Sequence, residues 1–337
     1  MAAGIDGHWR ASREFHPTSY IAMKKVGRRC CVIGGTGFIG SYVTRLLVAA
    51  GRDVVVLGRR RQNEVAVAEG ATYMCGDYGE GNVLRNALRD ATEVIDLAYS
   101  TVPQTSFADP VFDIISNLPP SVGLLQEAVA SGVRKIVLVS SGGTVYGPAR
   151  SLPISEDHPT QPISPYGITK LTIEKYGWMF NRIFDLPVVV VRPSNAYGEG
   201  QRPLAGQGFI STAVHLIAHG GEVEIYGSGD TVRDYIHVSD LASAVLAALD
   251  YGSAGQAYNV GTGLGCTNLE VLRAIEPLAL RAGFTVRTKH SLQRTYDVPA
   301  NVLDSSKLRE VSGWRPAVEF RDGIAQLWDA TIASSNH

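Results

Sequence analysis

Short apolar runs alternate with stretches of helical periodicity through the first 192 residues of the chain. Several runs are followed by apolar residues at spacings of three and four, which place side chains on one face of a helix. Buried parallel strands are apolar on both faces and are joined by helices, so this alternation predicts an α/β fold with a doubly wound parallel sheet over residues 28–192. The predicted strands lie at 30–33, 53–57, 71–74, 94–97, 135–139 and 188–192, and the predicted helices at 38–50, 82–89, 111–131 (interrupted by Pro119-Pro120) and 165–184.

The pattern changes after residue 192. Residues 193–208 are rich in Gly and Pro and predict a loop. Beyond it, shorter elements predict a smaller C-terminal lobe over residues 193–333. At the other end, residues 1–27 are polar and mixed and are expected to form a disordered leader. The elements assigned to the lobe are helices at 239–249, 268–280 and 323–332 and strands at 223–226, 257–260 and 285–289.

Composition narrows the class of protein. Among 337 residues, 31 Lys and Arg balance 32 Asp and Glu, so the basic surface that nucleic-acid binding requires is not expected. The sequence holds no apolar run near the ~18 residues of a membrane span, so no membrane partner is expected. The four cysteines have neither C-x-x-C nor zinc-type spacing, and we expect a cytoplasmic protein without a metal site.

A glycine-rich loop joins the first predicted strand to the first predicted helix. Gly34, Gly37 and Gly40 form G-x-x-G-x-x-G, with Phe38 and Ile39 inside the motif. The first glycine permits a tight turn, the second lets the backbone approach a pyrophosphate, and the third lets helix and strand pack closely. The helix N-terminus then favours the negative charge of the phosphates. These features predict a Rossmann-type domain that binds a dinucleotide.

The end of the second strand bears on which dinucleotide is bound. An acidic residue is usual there for the adenosine ribose, but this chain has Gly58 followed by Arg59 and Arg60. Guanidinium groups without a carboxylate suit a 2′-phosphate, so the sequence favours NADP and leaves NAD open. Asp77, after the third strand, is a candidate for the adenine end or an ordinary turn residue.

Tyr166 and Lys170 are the candidate catalytic pair. They form Y-x-x-x-K at the start of a predicted helix, and a spacing of four puts both side chains on one face. A nearby ammonium is expected to lower the phenol pKa from about 10. Such a tyrosine can take a proton from an alcohol while a nicotinamide takes a hydride.

Five motifs in this order carry a resemblance to a known family. Over about residues 28–330, the chain resembles the extended short-chain dehydrogenase/reductase family in its nucleotide-sugar epimerase and dehydratase branch, and most of all the UDP-galactose 4-epimerases. The motifs are GGTGFIG at 34–40, SSGGTVYG at 140–147, SPYGITK at 164–170, VRPSNAYG at 191–198 and VRDYIHVSDLA at 232–242.

This resemblance implies that Tyr166 is the base and that Lys170 holds the nicotinamide ribose. The family's strand-end Ser or Thr, which contacts the reacting hydroxyl, matches Gly142 in this chain. Because side chains alternate along a strand, Thr144 shares the face of residue 142 and is the first candidate to replace that hydroxyl. Ser141 is the alternative if the strand has already ended.

The resemblance also implies further contacts around both ligands. Asn117 is expected to support Lys170, and Thr101 stands where the 4-epimerases often have a lysine near the pyrophosphate. The further cofactor contacts implied are Tyr78, Leu97, Ala98, Asn117 and Pro193. The substrate contacts implied are Asn195 and Arg233 for phosphate, Tyr226 for the base, and Arg294 with Asp297 for phosphate and ribose.

The leading function implied is NAD(P)-dependent 4-epimerisation of a UDP-hexose through a transient 4-keto sugar, with the cofactor tightly bound. Gly143 and Thr144 replace the Asp-Glu pair of the dehydratases, which argues against water elimination. An NADPH-dependent reductase of a 4-keto nucleotide sugar and a non-catalytic dinucleotide-binding module stay open. The resemblance further implies polysaccharide biosynthesis and a homodimer formed through helices 111–131 and 165–184.

Overall fold

The computed structural model of the chain describes residues 27–292 and 297–335, so most of the predicted leader and Arg294 lie outside the described residues. In chain order, the strands are β1 (Arg29–Ile33), β2 (Asp53–Gly58), β3 (Ala71–Cys75), β4 (Glu93–Asp96), β5 (Lys135–Val139), β6 (Val188–Pro193), β7 (Asn195–Tyr197), β8 (Glu222–Tyr226), β9 (Val232–His237), β10 (Ala257–Val260), β11 (Gly265–Thr267), β12 (Arg287–Ser291) and β13 (Ala300–Asn301). The helices are α1 (Phe38–Ala49), α2 (Gly81–Ala87), α3 (Pro103–Ala108), α4 (Pro110–Ala130), α5 (Pro165–Phe184), α6 (Phe209–Ala218), α7 (Val238–Tyr251), α8 (Asn268–Arg281), α9 (Ser306–Ser312) and α10 (Phe320–Ser335).

A seven-stranded parallel sheet forms the centre of the fold, in the order β10-β6-β5-β4-β1-β2-β3. Its strands are apolar on both faces because each face is covered by helices. One face packs against α1 and α7, and the other against α2, α4 and α5. The prediction of a doubly wound α/β sheet, including the six strands before residue 193, is confirmed.

Strand β10 corrects one assignment from the sequence. Residues 257–260 were expected in the smaller lobe, yet β10 pairs in parallel with β6, with Ala257 opposite Val190. Helix α7, from the same part of the chain, packs against α1. Periodicity reveals a four-residue strand but not the sheet that it joins, because the pairing is made far away along the chain. The division of the chain at residue 192 otherwise stays a prediction.

Most of the elements that follow β6 form a smaller lobe. Strands β11, β9 and β13 are adjacent, β7 also pairs with β9, and β8 pairs with β12. Helices α6, α8 and α10 share an apolar cluster with this lobe. Strand β7 lies inside the segment 193–208, which was predicted to be a loop.

Helix α4 is continuous where an interruption was expected. It runs through Pro119 and Pro120, with Leu124 and Leu125 of its second half buried against the central sheet. Packing against α5 and α2 holds the helix together although each proline removes a backbone donor.

The carboxyl ends of β1, β4, β5 and β6 meet at one edge of the central sheet. In open parallel sheets, ligands bind outside this edge. None of the helices in the described parts of the chain is both long and apolar enough to cross a membrane.

Candidate active site

The glycine loop forms a close turn between β1 and α1. Gly34 has a φ of +78°, which a side chain would strain, and its carbonyl accepts from the Gly37 N–H at 2.9 Å. A Cβ at Gly40 would stand 2.2 Å from the Gly34 oxygen, so the close packing of helix on turn requires glycine there. Gly37 caps α1 without a side-chain hydrogen bond. The bare N-terminus and the close backbone fit a dinucleotide pyrophosphate.

The end of β2 has a glycine, Gly58, where dinucleotide-binding sites usually have an acidic residue for the adenosine ribose. A Cβ at Gly58 would lie 2.9 Å from the Tyr73 hydroxyl, which occupies this space and donates to the Arg60 carbonyl at 2.6 Å. The Arg60 guanidinium donates to the Thr36 carbonyl in the glycine loop at 3.3 Å. Arg59 and Arg60 are exposed on the wall of the cleft. The end of β2 therefore lacks the carboxylate that would bind the adenosine ribose, and two guanidinium groups border this place instead.

A single cleft of about 1250 Å³ runs from the glycine loop to Arg233 and Asp297. This volume is larger than that of a typical small-molecule pocket, about 300–1,000 Å³, and suits two nucleotide ligands. Four of the predicted residues within the described ranges are not on its wall. They are Gly40, Asp77, Asn117 and Tyr226. The predicted residues on the wall are Gly34, Gly37, Phe38, Ile39, Arg59, Arg60, Tyr78, Leu97, Ala98, Ser141, Thr144, Tyr166, Lys170, Pro193, Asn195, Arg233 and Asp297.

Tyr166 and Lys170 lie on the same face of α5, as predicted. The helix begins at Pro165 after the cap Ser164, whose hydroxyl accepts from the Gly167 N–H at 3.1 Å. Both functional side chains are buried at the bottom of the cleft. Lys170 Nζ donates to the Val139 carbonyl at 2.9 Å and lies 5.9 Å from the centre of the Tyr166 ring.

The electrostatics of this pair differ from the expectation. Burial lowers the pKa of Lys170 to about 8, against the opposing effect of Asp96 and other carboxylates. Burial and then Asp113 raise the pKa of Tyr166 above its usual value, whereas a hydrogen bond with Ser141 lowers it. The expected lowering of this pKa by Lys170 is not found, because the ammonium is turned toward Val139.

The structure locates both candidates for the strand-end hydroxyl, Thr144 and Ser141, and the choice between them stays a prediction. Strand β5 ends at Val139, so the alternation that favoured Thr144 does not extend to residue 142. A Cβ at Gly142 would lie 2.5 Å from Leu303 Cδ1, pointing away from the cleft. Both Ser141 and Thr144 line the cleft, but Ser141 is the one that hydrogen-bonds Tyr166. The missing hydroxyl at residue 142 therefore does not leave Tyr166 without a partner.

Tyr99 and Asp113 are site residues that the sequence interpretation missed. The Tyr99 ring lies 4.0 Å from Lys170 Nζ and 4.9 Å from the Tyr166 ring centre. Its hydroxyl donates to Asp113 at 3.4 Å, and Thr169 donates to the same carboxylate at 2.6 Å. Asp113 is fully buried. Its position on the inward face of α4 was the available signal, because a charge on a buried helix face needs partners.

Asn117 is bonded to other groups than Lys170, so its expected support of Lys170 stays a prediction. Its amide accepts from the Ser100 N–H at 2.7 Å and donates to the Asp113 carbonyl at 2.8 Å. These bonds tie the segment after β4 to α4, whereas the Lys170 ammonium finds its acceptor on β5. Asn117 is completely buried behind the cleft wall. The bond to Asp113 follows from helix geometry, because residues 113 and 117 are one turn apart.

Asp77 lies beside the cleft. Its carboxylate accepts from the Gly79 N–H at 2.9 Å, a bond made within its own turn. The neighbouring Tyr78 does line the cleft. A contact of Asp77 with adenine stays a prediction.

The far end of the cleft carries Arg233. Its guanidinium donates to the carbonyls of Val232 and Val298 at 2.9 and 2.8 Å and lies 3.8 Å from the Asp297 carboxylate. Burial lowers its pKa relative to the usual value, although the group lines the cleft. Tyr226 is away from this wall, and its hydroxyl donates to Glu224 at 2.6 Å. Over residues 27–292 and 297–335, no cluster of three potential metal ligands occurs.

Comparison with known proteins agrees with this geometry. A UDP-glucose 4-epimerase of Mycolicibacterium smegmatis is 34% identical over 305 residues, which cover 88% of this chain and 96% of that protein. The structure of a UDP-glucose 4-epimerase of Thermotoga maritima with UDP-glucose has a TM-score of 0.85 at 29% identity, covering 91% of this chain and 99% of that one. A Thermus thermophilus UDP-glucose 4-epimerase in complex with NAD has a TM-score of 0.82 at 33% identity, with 90% and 98% covered.

A family model also matches the chain directly. It is described as the NAD dependent epimerase/dehydratase family and matches residues 30–261. The matched range contains the glycine loop, the Tyr166–Lys170 pair and the late strand β10. The resemblance to the extended short-chain dehydrogenases/reductases is thereby confirmed, and the chain belongs to the NAD dependent epimerase/dehydratase family.

Proposed function

We propose that this protein is an NAD(P)-dependent 4-epimerase of a nucleotide sugar, with a UDP-hexose as substrate and a transient 4-keto sugar as intermediate. One observation carries the proposal: Tyr166, with Ser141 and Lys170 beside it, lies in the middle of a cleft between a dinucleotide loop and Arg233. The relatives that are named UDP-glucose 4-epimerases support the substrate type.

The placement of the side chains supports the following roles. The glycine loop and the N-terminus of α1 would hold the dinucleotide diphosphate, and Lys170 its nicotinamide ribose. When bound, the nicotinamide supplies the chemistry of accepting a hydride from sugar C4 and returning it to the opposite face. Tyr166 takes the proton of the 4-hydroxyl and later gives it back, while the Ser141 hydroxyl orients the oxygen. Because no cofactor is consumed, we expect it to stay bound between turnovers.

Residue 143 favours epimerisation over water elimination. A Cβ at Gly143 would lie 3.7 Å from Asn195 Oδ1 and 3.9 Å from Ser141 Oγ, so this position faces the cleft. An acid there could protonate a leaving hydroxyl, but glycine and the following Thr144 offer no carboxylate. The family name covers both reactions, and this loop supports the epimerase.

A product assay tests the proposal. Purified protein would be given UDP-, dTDP- and GDP-hexoses with and without NAD or NADP, and the products separated by chromatography with mass detection. We expect a product of unchanged mass and no net cofactor turnover, and a loss of roughly 10²–10⁴-fold in kcat for Tyr166→Phe. A product lighter by one water, or full activity of the variant, would contradict the mechanism.

A reductase is the second candidate, and Arg59 with Arg60 favours it. NADPH is the hydride donor in such a reduction, and the two guanidinium groups on the cleft wall suit its 2′-phosphate. Stoichiometric consumption of NADPH with a 4-keto nucleotide sugar would identify this activity. Nucleotide binding without any turnover would identify the third candidate, a non-catalytic module.

The preference for NADP is part of the proposal. We expect Arg60→Ala to weaken NADP binding about tenfold, the value of a charge-assisted hydrogen bond, and to leave NAD binding unchanged. Arg61→Ala is the matched control, because Arg61 is an exposed neighbour off the cleft wall. Titration calorimetry measures both affinities. Equal losses for NAD and NADP would contradict the preference.

We further propose a homodimer through α4 and α5, in a cytoplasmic enzyme of polysaccharide biosynthesis. Val111 and Ile115 on α4 are each 63% exposed, and Ile168 and Trp178 on the adjacent α5 are more than half exposed. Large exposed apolar residues on two adjacent helices are typical of a protein interface. Sedimentation velocity should give twice the chain mass, and Ile115→Glu should give the monomer.

A further inference from the structure

Three buried polar atoms on the cleft have no hydrogen-bond partner among the described residues. They are Thr144 Oγ1, Ser194 Oγ and Asn195 Nδ2. Native proteins leave few buried polar groups unpaired, and an unpaired buried group indicates that a ligand or a water molecule is its partner. Thr144 and Asn195 were already candidates for the site. Ser194 was not, and it is the most buried of the three, with 7% of its surface exposed.

The backbone around Ser194 is fixed from both sides. The Ser194 N–H donates to the Val260 carbonyl of β10 at 2.8 Å, which ties this residue to the edge of the central sheet. The next residue, Asn195, is paired with Tyr235 of β9 in the smaller lobe. The Ser194 hydroxyl is therefore held on the cleft wall by two sheets.

The neighbours of Ser194 indicate which part of a ligand it faces. Asn195 and Ser141 both lie within 4 Å of the position that a Cβ at Gly143 would take. Ser141 in turn hydrogen-bonds Tyr166. The segment that carries Ser194 thus borders the reacting end of the cleft, where the proposed function puts the sugar.

We propose that the Ser194 hydroxyl is a specificity-determining contact for the hexose ring of the nucleotide sugar. The proposal rests on the proposed function and names a residue for its substrate pocket. A serine hydroxyl can donate to a carbonyl oxygen and accept from a hydroxyl. It can therefore bond a sugar oxygen in both the alcohol and the keto form, as a pocket that holds a 4-keto intermediate requires.

Binding measurements on Ser194→Ala test this contact. Affinities for UDP, UDP-hexose and NAD(P) would be measured by titration calorimetry, together with the melting temperature of the protein without added ligand. We expect the Kd of the UDP-hexose to rise about 5- to 20-fold, as for one lost hydrogen bond in a buried site, and the Kd values of UDP and NAD(P) to change less than twofold. The melting temperature should not fall, because the removed hydroxyl has no partner to lose.

Ser243→Ala is the matched control. The Ser243 hydroxyl is paired, donating to the Asp240 carbonyl at 2.8 Å and accepting from Trp314 Nε1 at 2.9 Å, and it is not on the cleft wall. Its removal should lower the melting temperature and leave the three affinities unchanged. The two serines thereby separate a ligand contact from a structural hydroxyl.

The alternative outcomes are distinct. Equal loss of UDP and UDP-hexose affinity, loss of NAD(P) affinity, or no change at all in Ser194→Ala would overturn the proposal. If the wild-type protein converts a hexose that Ser194→Ala binds equally well, this inference fails while the proposed function stands. If the wild-type protein binds no nucleotide sugar, both fail together.

Discussion

Strand β4 carries a buried carboxylate at each end, and the two have very different surroundings. Glu93, at its start, is 4% exposed and accepts from Arg28 at 2.9 Å and from Arg52 Nε at 3.0 Å. Asp96, at its end, is 6% exposed and accepts from the Ala98 N–H at 3.1 Å. The nearby Lys170 ammonium donates to Val139 instead of to this carboxylate. The start of β4 thus lies in an ion-pair cluster, whereas at its end the Asp96 carboxylate and the Lys170 ammonium are not directly bonded to each other.

This difference separates a structural cluster from a functional one. Although burial lowers it, Glu93 and Asp250 together raise the pKa of Arg52, so this guanidinium keeps its charge across the physiological range. Burial raises the pKa of Asp96 to about 6 and lowers that of Lys170 to about 8. Groups with such values change charge close to neutral pH, as acid–base chemistry requires.

The largest effect should come from the catalytic end. Lys170→Met removes the ammonium that we assign to the nicotinamide ribose, and kcat should fall about 10²–10⁴-fold, the range of a lost acid–base group. The melting temperature at pH 7 should change little, since Asp96 can take up a proton when its counter-charge is lost. Steady-state kinetics and calorimetry check both. A kcat within tenfold of the wild-type value would contradict the role of Lys170.

The opposite result is expected at the other end of β4. Arg52→Met leaves the buried Glu93 and the half-buried Asp250 with Arg28 as their remaining partner. It should lower the free energy of unfolding by up to about 3–5 kcal/mol, while kcat per folded molecule stays within about twofold. Chemical denaturation measures the loss. Arg85→Met is the control, because its pair with Glu127 is exposed at the arginine and should contribute less than about 1 kcal/mol. Equal losses of unfolding free energy in Arg52→Met and Arg85→Met would contradict the structural role of the ion-pair cluster around Arg52.

Asp96→Asn should change the pH dependence of the reaction. Without this carboxylate, Lys170 loses its strongest counter-charge, although Glu174 and Asp113 remain, and its pKa should fall below about 8. The alkaline limb of kcat/KM should therefore move to lower pH by about one unit. Near pH 6 the wild-type Asp96 is already half protonated, so the two proteins should differ less there. An unshifted limb would contradict the coupling.

The stability of Asp96→Asn provides a second readout. Because the pKa of Asp96 is raised in the folded protein, its contribution to stability is complete at low pH and is lost as the pH rises through about 6. Asparagine cannot ionise, so the variant should gain stability relative to the wild type above pH 6. Melting temperatures at pH 5 and pH 8 test the sign. Asp53→Asn, at the exposed start of β2, is the control. Its melting temperature relative to the wild type should not rise between pH 5 and pH 8.

Local patterns in the sequence predicted most of what surrounds the site. The six apolar strands, the glycine loop and the Tyr166–Lys170 spacing are each encoded within a few neighbouring residues, and the structure contains them. The choice between Thr144 and Ser141 as the strand-end hydroxyl stays a prediction, and the sequence alone could not locate Ser141 because its direction depends on where β5 ends. Tyr99 and Asp113 were missed because their contact with the pair is made across three segments of the chain. Residues distant in the sequence meet only through packing, which periodicity does not encode.

The late strand β10 has a consequence for how the protein is made. When a nascent chain has emerged from the ribosome only to residue 192, β6 is an open edge strand, and the apolar face later covered by Leu241, Val245 and Ala248 of α7 is bare. Such edges and faces are prone to aggregation while they wait for partners. The nucleotide-binding unit should therefore not be obtainable as a separate fragment 27–192. A fragment extended to residue 260 contains all seven strands and α7, so β6 has its partner strand and this face of the sheet its helix.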